Sequence, residues 1–342
     1  MDPVIHALLG FTVAQAAGAS GPYEAGLVAA ALGGALVADS DFVIRPLGAN
    51  LTLRYHHGPT HSLAGGIFLS TLWAAAVSYI SRLINIDGAS PFYLCWAFAF
   101  LGFLSHIILD VLVHCNGLQL LWPFSARWFR FPIFIGMNPM TSSARCAERS
   151  LLVCWVCQLN SLIKNPLFYI LLSGVILQLA IRPWRQGVAI GLLVFIGLYA
   201  LYGFYQKKAA KKLAQNALRG IKHLEVFPAD FSPNLWLAVG KTQSRYEVVN
   251  ISVDDRKTGL KIIFPKDPSP IVEKVALDNN VKATLQNFIV PYGAVQNGRN
   301  GQPDVFYWDL AYYFTPDVTL HLAKIRLDDL GAVESIDFRE RW

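Results

Sequence analysis

Charge is what this 342-residue chain has least of. Only 15% of its residues are Asp, Glu, Lys or Arg, where a soluble domain carries about 25%. The deficit is local: residues 1–205 hold ten of the 29 Lys+Arg and seven of the 23 Asp+Glu, and residues 206–342 hold the remaining 19 and 16. With a mean hydropathy of +0.39, this excludes a soluble fold for the first part. It predicts an α-helical integral membrane domain of about four to six helices followed by a small α+β cytoplasmic domain.

Other absences narrow the function. The five cysteines, Cys95, Cys115, Cys146, Cys154 and Cys157, are an odd set expected to face cytoplasm or lipid, which excludes a disulfide framework. Cys154 and Cys157 form a C-x-x-C without a second pair, and read as buried small hydrophobes. The later part has no phosphate loop, no nucleophile motif and no zinc finger, and its His223 and His321 are isolated. Its net charge of +3 (19 minus 16) is too mild to predict nucleic-acid binding. Without Lys or Arg near the start, and with Asp2 there, no cleaved signal peptide is expected.

What is present is a series of apolar runs. Residues 63–80, 92–113, 167–181 and 187–205 approach the roughly 20 residues that a spanning helix needs. Two earlier runs, 4–17 and 25–38, are shorter and rich in Ala and Gly, as in a tightly packed helical hairpin or one that dips into the bilayer. Counted on this scheme, Arg45, Arg54, Arg127, Arg130, Arg145, Arg149, Lys164, Lys207, Lys208, Lys211 and Lys212 fall on one side. Arg82, Arg182 and Arg185 fall on the other. The bias predicts that both termini are cytoplasmic. The domains expected are a membrane-embedded 1–205, a basic juxtamembrane linker 206–222 at the anionic headgroups, and a cytoplasmic 223–342. In the last, WLAVG, RYEVVNISV, LKIIF, FYWDLAYYF, VTLHLAKIRL and ESIDF read as strands, and VEKVALDNNVKATLQNF reads as a helix. Trp122, Trp128, Phe129 and Phe131 read as interfacial anchors.

Into the apolar part the chain sets ADSDF, HHGPTHS and SHIILDVLVH. An ionisable side chain facing lipid costs several kcal/mol, roughly 2.5 to 3.5 by insertion scales, so such groups pair, line a wet cavity or hold an ion. On the expected topology His6, Asp39, Asp41, His56, His61, His106, Asp110 and His114 all lie toward one membrane face. His106, Asp110 and His114 are four residues apart and share one helix face. Imidazole nitrogen with carboxylate oxygen suits a divalent cation, Zn²⁺ first, and Mn²⁺ or Fe²⁺ when more carboxylates join. The expected ligands are His6, Asp39, Asp41, His56, His61, His106 and Asp110, with Asp41 or His114 as general base or as the group that orients a ligand. Each motif alone also has a structural reading: a helix-to-helix hydrogen bond, a capped helix start, an aspartate pair ending a helix in water. The turn before residue 63 can also leave helix-start amides free for an anion.

Together these motifs resemble the LexA-binding, inner-membrane-associated metal-dependent hydrolase family, called the YdjM family. The elements are His6, Asp39 with Asp41, His56 through Ser62, His106 with Asp110, and GLQLLWPFS at residues 117–125. His57 stands where the family typically has Arg, and VADSD replaces a Leu-Pro-Asp run. The FPADFSPNLW stretch looks like the start of a cytoplasmic domain that some members carry. The order of ligands is also similar to that of zinc-dependent phospholipase C and related single-strand nucleases. The resemblance implies a metal-dependent hydrolase, and the expected substrate is an amphiphilic phosphate ester met at the lipid headgroups, with Arg127, Arg130, Arg145 and Arg149 near it. Two other classes stay open: a regulatory or scaffold protein that meets a cytoplasmic protein partner through residues 223–342, and a metal or ion transporter. A transporter would place its polar groups near the midplane of repeated halves, and the chain shows no repeat and no such groups in 167–181 or 187–205.

Overall fold

Capping residues and prolines mark where the helices of the first part begin. A computed structural model describes residues 3–47, 55, 57–84, 89–113, 117–133, 165–221, 223–229, 234–285, 288–297, 303–315, 318–319, 322–328 and 330–339. Helix α1 (Pro3–Ala16) starts on a proline, and α2 (Glu24–Val37) follows a short turn at Gly21–Tyr23. Helix α3 (Leu63–Leu83) is capped by Ser62, whose hydroxyl accepts the Gly65 N–H at 2.9 Å. Helix α4 (Phe92–Leu112) follows Pro91. In α5 (Pro166–Ala180), Asn165 accepts the Leu167 N–H at 3.0 Å and Pro166 takes the first turn, where no amide is needed. Helix α6 runs from Arg185 to Ala217.

Among the described residues, four helical stretches are long and apolar enough to cross a membrane: Gly21–Ile44, Leu63–Leu83, Phe92–Leu112 and Arg182–Ala217. Helices α1 and α5 are shorter apolar helices. The chain divides into two units, one of Met1–Arg45, Tyr55–Phe131 and Trp155–Leu201, and one of Pro46–Arg54, Pro132–Cys154 and Tyr202–Trp342. In the first, α1 to α4 pack as a bundle and α5 joins it against α1. Helix α3 is largely small inside and bulky outside. Gly66, Ser70, Ala74, Ser78 and Ser81 form the buried stripe of α3, while Phe68, Leu72, Tyr79 and Ile80 are exposed. On α6, Val194, Phe195, Leu198 and Leu201 are exposed as well. Such outward apolar surface suits lipid.

Small residues let α2 and α4 meet backbone to backbone. A Cβ placed on Gly34 would lie 1.9 Å from the Ala99 carbonyl oxygen, and one on Gly102 would lie 2.1 Å from that of Ala31. At the end opposite the site, Arg185 clamps Glu24 with both guanidinium nitrogens, tying the start of α6 to the start of α2.

The C-terminal unit holds two four-stranded antiparallel sheets. The first, in the order β1-β2-β3-β4, comprises β1 (His223–Pro228), β2 (Leu235–Lys241), β3 (Arg245–Ser252) and β4 (Lys257–Pro265). Its strand β2 is covered on both faces. Trp236 and Ala238 pack with Ala210, Ala214 and Leu218, while Leu237 and Val239 pack with Ile289, Val290 and Leu310. Burial on both sides accounts for the continuous apolar run of β2. The second sheet, in the order β10-β9-β6-β5, comprises β5 (Pro291–Asn297), β6 (Pro303–Asp309), β9 (Leu322–Leu327) and β10 (Val333–Arg339). Between β6 and β9 lies a small hairpin of β7 (Tyr313–Thr315) and β8 (Val318–Thr319).

The expected helical membrane part followed by an α+β part is what the chain forms, with differences in detail. Residues 206–217, expected within a linker, continue α6, and their Ala210 and Ala214 are buried in the C-terminal unit. The single helix expected near residues 272–288 is two, α7 (Pro270–Ala276) and α8 (Asn279–Leu285). Asp278 ends the run by accepting the amides of Asn280 and Val281, as an N-cap does. FYWDLAYYF is broken at Asp309, whose carboxylate accepts the N–H groups of Ile289, Val290 and Ala311 at 2.7, 2.9 and 3.1 Å, leaving Leu310–Tyr312 as a 3-10 turn. Cys115, Cys146, Cys154, Cys157 and His321 lie outside the described residues.

Two stability predictions follow from this packing. Gly34→Ala should destabilise the detergent-solubilised protein by about 1–3 kcal/mol or more through overpacking. Gly191→Ala, where an added Cβ meets nothing within 4 Å, should change stability by less than about 1 kcal/mol; thermal unfolding of both variants compares the two. Asp309→Ala strands three buried amides and should cost about 3 kcal/mol or more in urea unfolding followed by tryptophan fluorescence.

Candidate metal centre

The end of the bundle where α1 begins, α2 ends, α3 begins and α4 ends gathers its ionisable side chains. His6 comes from the first turn of α1, Asp39 and Asp41 from the 3-10 stretch Ala38–Leu47 after α2, His61 from the 3-10 turn Pro59–His61 before α3, and His106 and Asp110 from the last turns of α4. All six are buried. His106 Nε2 lies 3.3 Å from His61 Nε2, 3.2 Å from Asp110 Oδ2 and 3.9 Å from Asp39 Oδ1. His61 Nε2 lies 3.8 Å from Asp110 Oδ2 and 3.6 Å from Asp39 Oδ1. His6 Nε2 faces the other oxygen of Asp110, at 3.3 Å, and its ring stacks on that of His106 with centroids 3.7 Å apart.

These separations test whether a cation fits. Four ligands about 2.05 Å from a tetrahedral ion stand about 3.4 Å from one another, and the distances among His61, His106, Asp39 and Asp110 scatter around that value. Among the described residues, His6 Nδ1 and Asp39 Oδ2 are buried with no hydrogen-bond partner, and His6 Nε2 meets only the Asp110 carboxylate. Buried polar atoms in that state call for a further partner. His6, Asp39 and His106 form one group that could hold a metal ion, and His57, His61 and Asp110 form another, with the ligand atoms within each group no more than 4.8 Å apart.

Neighbouring groups fix how the imidazoles point. His106 Nδ1 is 2.7 Å from the Ala35 carbonyl oxygen, to which it donates, so Nε2 is left bare toward the cluster. His61 Nδ1 is 3.5 Å from Asp41 Oδ2 and 3.0 Å from Thr60 Oγ1. Burial pushes the His61 imidazole below its ordinary pKa, which keeps it neutral, the form that ligates. Asp41 also accepts the His57 N–H at 3.2 Å and the Thr60 hydroxyl at 3.3 Å. These are the contacts of a residue that orients His61 rather than of one facing the centre.

The chain matches the model of the YdjM inner membrane protein family over residues 1–210. It belongs to that family. No curated protein and no solved structure matches it. All of the clustered side chains lie within the family-matched stretch, as does GLQLLWPFS, whose part in the site is to brace the His57 turn. The Gln119 N–H donates to the His57 carbonyl at 3.0 Å, the Leu63 N–H donates to the Leu120 carbonyl at 3.0 Å, and Leu118 bridges Phe129.

Some expectations about the site change. His56, expected as a ligand, and His114, expected as base or orienter, lie outside the described residues, as do Arg54, Arg145, Arg149 and Lys164. Among the described residues of that turn, His57 also enters the cluster, buried with a backbone φ of 64° and its ring edge-on to His61 at 4.8 Å. A left-handed backbone at a non-glycine residue costs about 1–2 kcal/mol, a strain of the kind that gathers at functional sites. The helix-start amides expected to be open to an anion are instead largely used: Leu63 N–H goes to Leu120, Gly65 to the Ser62 hydroxyl and Gly66 to the Ser62 carbonyl. Arg127 lies over the Phe129 ring at 5.5 Å.

Asp41→Ala should weaken divalent-metal affinity by about 10- to 100-fold through loss of His61 orientation, with Thr60→Val intermediate. Competition with a chelating dye measures this, and an affinity for Asp41→Ala within twofold of the unmodified protein would remove Asp41 from the site.

Proposed function

We propose that this inner membrane protein is a metal-dependent hydrolase that cleaves a phosphate ester of an amphiphilic, lipid-like substrate at the cytoplasmic face. The observation that carries the reading is the set of buried His and Asp side chains at tetrahedral-edge spacing, gathered at one end of an apolar bundle. Zn²⁺ suits this donor set best, and Mn²⁺ or Fe²⁺ suit its carboxylates. His61, His106, Asp39 and Asp110, with His6 and His57 against them, are the groups that would hold metal. When bound it supplies Lewis-acid polarisation of a phosphoryl oxygen and a water acidified toward neutral pH.

The chain's own groups do the rest. Asp41 and Thr60 hold His61 in one tautomer, and the Ala35 carbonyl does the same for His106, so that both present Nε2. The 11-to-three bias of Lys and Arg on the spanning scheme supports a site at the cytoplasmic leaflet. There a headgroup phosphate could reach it while the acyl chains stay in lipid, against the exposed apolar face of α3. A second reading, a regulatory protein acting through a cytoplasmic partner, draws on the C-terminal unit, most of which lies beyond the family-matched residues 1–210. A transporter fits less well, because the polar cluster sits at one end of the bundle rather than at its middle.

The deciding experiment is elemental analysis of detergent-purified protein, of His106→Ala and of Asp110→Ala, with phosphodiesterase and phosphomonoesterase assays on lipid-like substrates. The expected result is bound metal and activity in the unmodified protein, with both lost at least 100-fold in each variant. Metal content unchanged by both substitutions would overturn the reading, and flux across vesicles without hydrolysis would replace it with transport.

A further inference from the structure

The cluster contains more donors than one tetrahedral ion uses. A single cation at the centre of His61, His106, Asp39 and Asp110 uses neither His6 nor His57 as a ligand, although both are buried among them. His6 is then the harder to explain, since among the described residues its Nδ1 has no hydrogen-bond partner and its Nε2 meets only Asp110 Oδ1, at 3.3 Å. His57 stands in the left-handed region, φ 64°, with its ring edge-on to His61.

Asp110 resolves this. Its Oδ1 is approached by His6, and its Oδ2 by His106 and His61 at 3.2 and 3.8 Å. A carboxylate met at both oxygens by different imidazoles is placed to serve two cations at once. Two groups of two imidazoles and one carboxylate could each hold an ion, His6 with His106 and Asp39, and His57 with His61 and Asp110.

Charge balance points the same way. Asp39, Asp41 and Asp110 bring three buried carboxylates to one place, and buried charge without compensation is costly. One divalent cation leaves a negative charge over, which would repel a phosphate. Two leave a positive charge, which would attract one.

Resting on the metal reading of the site, we infer that the cluster is a two-cation centre. His6, Asp39 and His106 hold one ion, His57, His61 and Asp110 hold the other, and Asp110 lies between them. The ligand that this centre takes is an anionic phosphate ester able to contact both ions, and His57 acts here as a ligand.

The test is metal stoichiometry of the full chain in detergent, saturated with Zn²⁺, desalted and analysed for metal and protein. Two ions per chain are expected, falling to one in His6→Ala and to one in His57→Ala. Saturation of the unmodified protein at one ion would overturn the two-cation centre while leaving the metal reading standing, whereas no bound metal at all would overturn both. Two ions retained in both variants would overturn the assignment of ligands. Where a variant does not fold, Mn²⁺ electron paramagnetic resonance of the unmodified protein decides: a spin-coupled pair supports the inference, and a spectrum of isolated Mn²⁺ at full loading overturns it.

Discussion

Three carboxylates and four imidazoles lie buried at one end of a helical bundle whose outer surface is apolar. That is the constraint from which the rest of the membrane unit can be read. Such groups cannot be left to themselves in a low-dielectric setting, because each must be paired, hydrogen-bonded or coordinated. The bundle satisfies part of this need internally: the Ala35 carbonyl receives His106, Thr60 and the His57 amide serve Asp41, and Asp110 lies against three histidines. What these contacts leave over, at His6 and Asp39, is the demand that a cation would meet.

The scaffold serves that convergence. Helices α1, α2, α3 and α4 contribute their ends to the site, so the side chains must approach within a few ångströms while the backbones carry them. Glycine and alanine at Gly34, Ala31, Ala99 and Gly102 make the close approach of α2 and α4 feasible, since a single Cβ at either glycine would strike a carbonyl oxygen. Outside the helices, residues 117–120 hydrogen-bond the His57 turn and the first residue of α3. This gives GLQLLWPFS a structural purpose that involves no side-chain chemistry. The C-terminal unit is built on a different principle, a sheet whose strand β2 is covered on both faces, and among the described residues it contributes nothing to the metal-type clusters.

Much of this was legible in the chain. The apolar runs gave the spanning helices because length and hydropathy are nearly sufficient in a bilayer, where every backbone group must be satisfied within the segment. The H-x-x-x-D of α4 could be placed on one face because helical period alone decides it. The C-terminal strands were harder, since strand limits depend on partners distant in sequence. Asp309 ends β6 by taking amides near residue 290, β1 and β5 carry little pattern of their own, and the division of α7 from α8 turns on the capping by Asp278.

The sequence by itself determined the membrane character of the first part, the identity of most candidate ligands and their gathering toward one face, because composition, helical period and chain direction are local properties. Only the tertiary structure decided that His57 turns inward, that Asp41 stands behind His61 while Asp39 stands before it, and that Asp110 offers its two oxygens to different imidazoles. Those choices depend on a left-handed turn at His57, on a 3-10 rather than α-helical stretch after α2 and on the crossing of α1 over α4. All three are set by packing between segments up to about a hundred residues apart, which no local pattern encodes.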